Sequence, residues 1–114
     1  MTFGEIIKEL RKQRGMTQRE LADQLQVNFT YISKIENDKL EVLPSEDLIR
    51  RMAEVLETDA EELLDLAGKL DLRQLQQVVK DLPQAGVLLR RIQTRRLTDE
   101  QWKTIETMFD ETEE

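Results

Sequence analysis

The chain has 114 residues, 17 Lys and Arg against 24 Asp and Glu, a net charge of −7, and neither Cys nor His. This excludes disulfides, His/Cys metal sites and catalysis by a thiol or an imidazole. The length allows one domain, or one small domain with an appendage, and with 4 Gly, 2 Pro and 4% aromatics the core must come from Leu, Ile, Val and Met on helices.

Thr2 and Glu5 have capping-box spacing and open a first helix over about Phe3 to Gln13, with Ile6, Ile7 and Leu10 inward. Gly15 breaks it. Thr17 and Glu20 cap a second helix in the same way, on which Leu21, Ala22 and Leu25 share one face. Asn28 is a good N-cap for a third helix, from about Phe29 to Glu36, with Ile32 and Ile35 inward. Between these two lies Gln26-Val27-Asn28, long enough only for a tight turn. Two short helices joined in this way must cross steeply, and the small Ala22 lets their backbones approach. That is the pattern of a helix-turn-helix, whose second helix is shaped for the DNA major groove.

The loop NDKLEVLP follows. Ser45 then caps a fourth helix with Leu48, Ile49, Met52, Ala53 and Leu56 as its stripe, and Asp59 with Glu62 caps a fifth with Leu63, Leu64 and Leu66 inside. Beyond Gly68 three further apolar stripes appear. They are Leu72, Leu75, Val78, Val79 and Leu82; Val87, Leu88 and Ile92; and Trp102, Ile105, Met108 and Phe109, the last opened by a Thr98/Gln101 capping box. Three helices of about ten residues cannot bury three stripes unaided, so they must pack on the first domain or on a second copy of themselves. The terminal DETEE is expected to fray.

Charge is uneven along the chain. Residues 1–39 carry seven Lys/Arg against six Asp/Glu, residues 40–69 three against nine, and residues 70–114 seven against nine. A polyanion would be met by the first of these segments, and the acidic remainder works against indiscriminate coating of nucleic acid. The start MTFGEIIKEL lacks the basic region and apolar run of a signal peptide, and no stretch has membrane-spanning length. A soluble, cytoplasmic protein is expected.

LRKQRGMTQRELA, with Arg11, Gly15, Thr17 and Gln18, and YISKIEN, with Tyr31, Ile35, Glu36 and Asn37, together resemble the helix-turn-helix of the Xre/Cro (phage-repressor-like) family of transcription regulators. The resemblance runs from about Phe3 to Leu70. It implies a five-helix, lambda-repressor-like DNA-binding domain over residues 1–69; composition makes the whole an all-α protein, and the apolar stripes beyond make residues 70–114 a helical extension expected to form or complete a dimer interface. It also implies that Arg11 and Glu36 form a partly buried ion pair tying the first helix to the end of the third. Two residues depart from the family pattern. Gln26 stands where the turn usually has Gly, and strain follows if φ is positive there. Asp38 stands where Gly often follows Asn, and tolerates a left-handed backbone better than most residues. The LEVL segment also lengthens the loop before Pro44.

The candidate DNA-binding residues are Thr17, Gln18, Asn28, Phe29, Thr30, Tyr31, Ser33, Lys34, Asn37 and Lys39. Gln18 sits where free backbone N–H groups and the helix dipole suit a phosphate, and its amide is placed both for phosphate and for bracing the third helix. Thr17 is a cap, a contact, or both. Thr30 suits a base edge or a thymine methyl, Lys34 guanine O6/N7 or phosphate, and Phe29 a thymine methyl. Tyr31 either sends its hydroxyl to phosphate or packs its ring on the fourth helix. Asn37 and Lys39 follow the helix end, where phosphate lies.

Leu88, Ile92, Trp102, Ile105 and Phe109 are the candidate dimerisation residues, since one short helix-turn-helix reads too few bases to be selective alone. Arg90, Arg91, Arg95 and Arg96 form the one dense basic cluster, suited to DNA, to an acidic partner, or to solvent. In helical pattern the tail resembles repressors of this family that a partner metallopeptidase inactivates by cutting their C-terminal helices. The expected function is a dimeric, sequence-specific transcription regulator of repressor type, needing no cofactor and carrying no enzyme activity. The rivals are an antitoxin or restriction-system controller that binds a protein through the tail, and a protein-interaction module that uses the fold without DNA.

Overall fold

The computed structural model describes the backbone of residues 1–112 and the side chains of residues 1–110. Among the described residues there are eight α-helices and no strand: α1 Phe3–Gln13, α2 Gln18–Leu25, α3 Phe29–Glu36, α4 Glu46–Val55, α5 Ala60–Leu66, α6 Leu72–Asp81, α7 Pro83–Thr94 and α8 Asp99–Thr112. The expected all-α class and five-helix first domain are borne out. The chain divides into one compact unit over Met1–Leu70 and a second from Asp71 onward.

Local chemistry places the helix starts. Thr17 accepts from the Glu20 N–H, and the Glu20 carboxylate accepts from the Thr17 N–H, so the box at α2 is complete. Asn28, Ser45 and Asp59 each accept from a first-turn N–H of α3, α4 and α5. At α1 only half the expected box forms. Thr2 Oγ1 accepts from the Glu5 N–H, but its hydroxyl donates to Asp38 Oδ2 at 2.7 Å. Asp38 Oδ1 also accepts from the Gly4 N–H at 3.2 Å, so a carboxylate from beyond α3 caps α1. A negative charge there also complements the positive end of the helix dipole.

In the first unit α1 packs on α3, α2 on α3 and α4, and α4 on α5. The core is Phe3, Ile7, Leu21, Ala22, Leu25, Ile32, Ile35, Leu48, Ile49, Met52, Ala53, Leu56, Leu63, Leu64 and Ala67. Ile6 and Leu10 are only half-buried, because α1 meets the core along the Phe3–Ile7–Arg11 edge. Leu66 is a correction: it is 47% exposed, and Ala67 takes the inward place at the end of α5. α1 packs so closely on α3 that Gly4 is buried and no side chain fits at that position.

The turn between α2 and α3 has a left-handed residue, Gln26, at φ 57. The departure from Gly therefore places a Cβ in a crowded conformation. Arg51 of α4 donates Nη1 to the Leu25 carbonyl at 2.9 Å, closing one of the carbonyls that α2 leaves open at its end. Gln26→Gly is expected to raise stability by about 0.5–1 kcal/mol, the relief of a left-handed Cβ less the greater freedom of unfolded glycine. Urea denaturation reads this, and a loss of stability would show that the Gln26 side chain contributes more than its backbone costs.

In the second unit α6 packs on α7, and Leu82 links them, closing α6 while Pro83 opens α7. A Cβ on Gly86 would lie 3.1 Å from Val79 Cγ1, so the two helices run close at that point. The Thr98/Gln101 box at α8 forms in both directions. α8 continues through Thr112, past Asp110 where fraying was expected, and Glu113 and Glu114 lie outside the described residues. None of the described residues of this unit is buried. No helix among the described residues is long and apolar enough to cross a membrane.

Candidate nucleic-acid interface

α3 has one sealed face and one open face. Ile32 and Ile35 are at most 1% exposed, and Tyr31 is half-buried with its ring packed on the core. Phe29, Thr30 and Lys34 are exposed on the other side, and Ser33 is partly covered. Among the described residues neither the Thr30 hydroxyl nor the Lys34 ammonium makes a hydrogen bond or ion pair within the chain. Asn28 is occupied as the N-cap, its Oδ1 2.8 Å from the Thr30 N–H. Asn37 turns its amide back on α3, donating to the Ser33 carbonyl at 2.8 Å and lying 3.4 Å from Ser33 Oγ. Lys39 is exposed just beyond.

The angle of α3 is held from beneath by one buried ion pair. Arg11 Nε donates to Glu36 Oε2 at 2.7 Å and Nη2 to Oε1 at 3.0 Å. The two side chains are 9% and 1% exposed. This two-pronged arrangement suits a planar guanidinium. Arg11 Nη1 also donates to the Met16 carbonyl at 2.7 Å, which fixes the link between α1 and α2. Gln18 Nε2 donates to Glu36 Oε1 at 3.0 Å, so its side chain braces α3. What α2 still offers at its start is unpaired backbone N–H groups and the Thr17 hydroxyl proton, Thr17 Oγ1 being an acceptor in the capping box.

The start of α2 and the start of α3 border one open groove, lined by Arg11, Gly15, Met16, Thr17, Gln18, Arg19 and Phe29. In it the Arg19 guanidinium lies over the Phe29 ring, 4.6 Å from the centroid. Sequence reasoning leaves Arg19 out, because no helical spacing relates positions 19 and 29. Their contact arises only where α2 and α3 cross. Arg51, which secures the end of α2 from α4, is missed for the same reason.

Leu88, Ile92, Trp102 and Phe109 are 56, 39, 39 and 71% exposed, and Ile105 is half-buried. Arg90, Arg91, Arg95 and Arg96 are all exposed at the end of α7. Among the described residues no group of three or more acidic side chains is placed to hold a metal ion.

A family model described as helix-turn-helix matches residues 7–63. The chain is 32% identical over 91 residues to the HTH-type transcriptional regulator SinR of Bacillus subtilis (strain 168), covering 75% of this chain and 80% of that protein. It is 37% identical over 70 residues to the HTH-type transcriptional repressor RghR of the same organism, covering 61% of this chain and about half, 51%, of RghR. A crystal structure of SinR, the master regulator for biofilm formation, in complex with DNA superposes with a TM-score of 0.51 at 32% identity, over 55% of this chain and 98% of that one.

Proposed function

We infer a mode of action from one premise: the chain belongs to the helix-turn-helix family of transcription regulators. It is a DNA-binding regulator of transcription. Our proposal is that it acts as a dimeric repressor, occupying its operator by laying α3 in the major groove. The observation that carries this reading is the outward face of α3, where Phe29, Thr30 and Lys34 are exposed on a helix whose other face is sealed in the core. Residues at the start of such a helix reach base edges. Thr30 offers a free hydroxyl and a methyl, Lys34 a cation for guanine or phosphate, and Phe29 an apolar edge for a thymine methyl. The open N–H groups at Gln18, the Thr17 hydroxyl and Lys39 take phosphate, which sets register but not sequence.

The net charge of −7 does not oppose this role, since residues 1–39 are not acidic. Affinity therefore rests on a few placed cations and donors. Replacing Thr30 and Lys34 by Ala should weaken binding to the preferred duplex by about 1–3 kcal/mol for each good base contact. Selection from random duplexes followed by titration of the variants checks this; unchanged affinity would remove both residues from base reading.

The second unit supports dimerisation. Leu88, Ile92 and Trp102 expose apolar surface that one chain leaves in water, and a C2 dimer would cover it with a copy of itself. Removing Asp71 onward should turn a dimer into a monomer in sedimentation and lower affinity for a two-half-site duplex. A truncated chain that stays dimeric would move the interface to the first unit.

A further inference from the structure

We infer that Arg19 is a specificity-determining residue: held over the Phe29 ring, it reads a guanine beside the base that Phe29 touches. This rests on the reading of α3 as the base-contacting helix. Met1–Leu70 contains five arginines. Four of them have an acceptor in the chain: Arg11 on Glu36, Arg14 on Glu57, Arg50 on Glu46 and Glu61, and Arg51 on Asp47 and the Leu25 carbonyl. Among the described residues Arg19 makes no hydrogen bond or ion pair. Asp23 stands one turn further along α2, at the spacing of a helical ion pair, yet Arg19 lies over Phe29 instead.

The contact with the ring engages the charge and no N–H group, so the donors of the guanidinium stay unmade within the described residues. Those groups form the fork that matches guanine O6 and N7. The position follows from Phe29. As the first residue of α3, Phe29 lies where the helix meets base edges, and it carries the guanidinium there with it. An arginine at the second residue of α2 with no such platform would be a mobile side chain, better suited to phosphate. Stacking on a ring also reduces the rotamer freedom that a base contact must otherwise suppress.

The test uses the full chain and the duplex it selects. Each guanine of a half-site is replaced in turn by 7-deazaguanine, which lacks the N7 acceptor. Wild type should lose about tenfold in affinity at one guanine. At that guanine Arg19→Ala should bind the natural and the substituted duplex alike, and Arg19→Lys, which keeps the charge but not the fork, should discriminate less than wild type. Phe29→Leu should also lose the discrimination, since it removes the platform while remaining apolar.

Uniform weakening of Arg19→Ala on every duplex, with a salt dependence shallower by about one charge, would make Arg19 a phosphate contact and overturn the inference. An Arg19→Ala variant that still discriminates against 7-deazaguanine at every guanine where wild type does would overturn it as well. Phe29→Leu with discrimination intact would show that the ring does not position Arg19. A wild type that selects no sequence would overturn the base-reading role of α3 itself, and this inference with it.

Discussion

Glu36→Leu is expected to destabilise the chain by about 3–5 kcal/mol, the cost of leaving a buried charge without its partner. Arg11 is 9% exposed at its side chain, and two of its donors, Nε and Nη2, end on the Glu36 carboxylate. Removing that carboxylate leaves a guanidinium largely shielded from water and without a paired acid. An exposed pair such as Arg50–Glu46, with side chains 45% and 63% exposed, is screened by water and should by contrast contribute little. The second variant separates the two readings. Arg11→Met with Glu36→Leu removes both charges and should recover most of the loss, short of the bond from Arg11 Nη1 to the Met16 carbonyl. Equilibrium denaturation in urea measures both. A loss below about 1 kcal/mol for Glu36→Leu would mean that the pair behaves as a surface one. The consequence reaches α2 too, since Gln18 also donates to this carboxylate.

Gly4→Ala should lower stability by at least about 2 kcal/mol, a change opposite in sign to the usual one. Glycine inside a helix is ordinarily about 1 kcal/mol worse than alanine. Here a Cβ would run into the Ile35 carbonyl oxygen, and would lie 2.6 Å from Asp38 Oδ1 and 2.9 Å from the Glu36 carbonyl oxygen. Two of these three obstacles are backbone, so the fit is restored only by prising α1 from the end of α3. That shift would also loosen Asp38 from Thr2 and Gly4 and strain the Arg11–Glu36 pair, both of which span the same two helices. The measurement is again a denaturation midpoint, with DNA affinity as a second readout of the angle of α3. A stabilised Gly4→Ala variant would show that α1 shifts at no cost.

Much of the fold was legible from residue spacing. The starts of α2, α3, α4, α5 and α8 were marked by Thr17, Asn28, Ser45, Asp59 and Thr98, because a cap acts across three residues and needs no partner from elsewhere. Leu21, Ala22 and Leu25 and then Ile32 and Ile35 declared the inward faces, because a helix repeats its face every three or four residues. The left-handed turn at Gln26 and the left-handed Asp38 were both foreseeable as departures from glycine. Leu66 shows the limit of that reasoning, since at the last turn of a short helix the periodicity does not say whether Leu66 or Ala67 turns inward.

By itself, then, the sequence determined the order of the helices, their apolar faces and the exposed residues at the start of α3. Each of these follows from interactions within one helical turn. Tertiary structure alone decided four things. Asp38 caps α1, Gly4 is the point of closest approach, Arg51 closes the end of α2, and Arg19 lies on Phe29. In every case the partners belong to different segments of the chain, 10 to 36 residues apart. They meet only because of how the helices cross, and no periodic rule carries information over that distance.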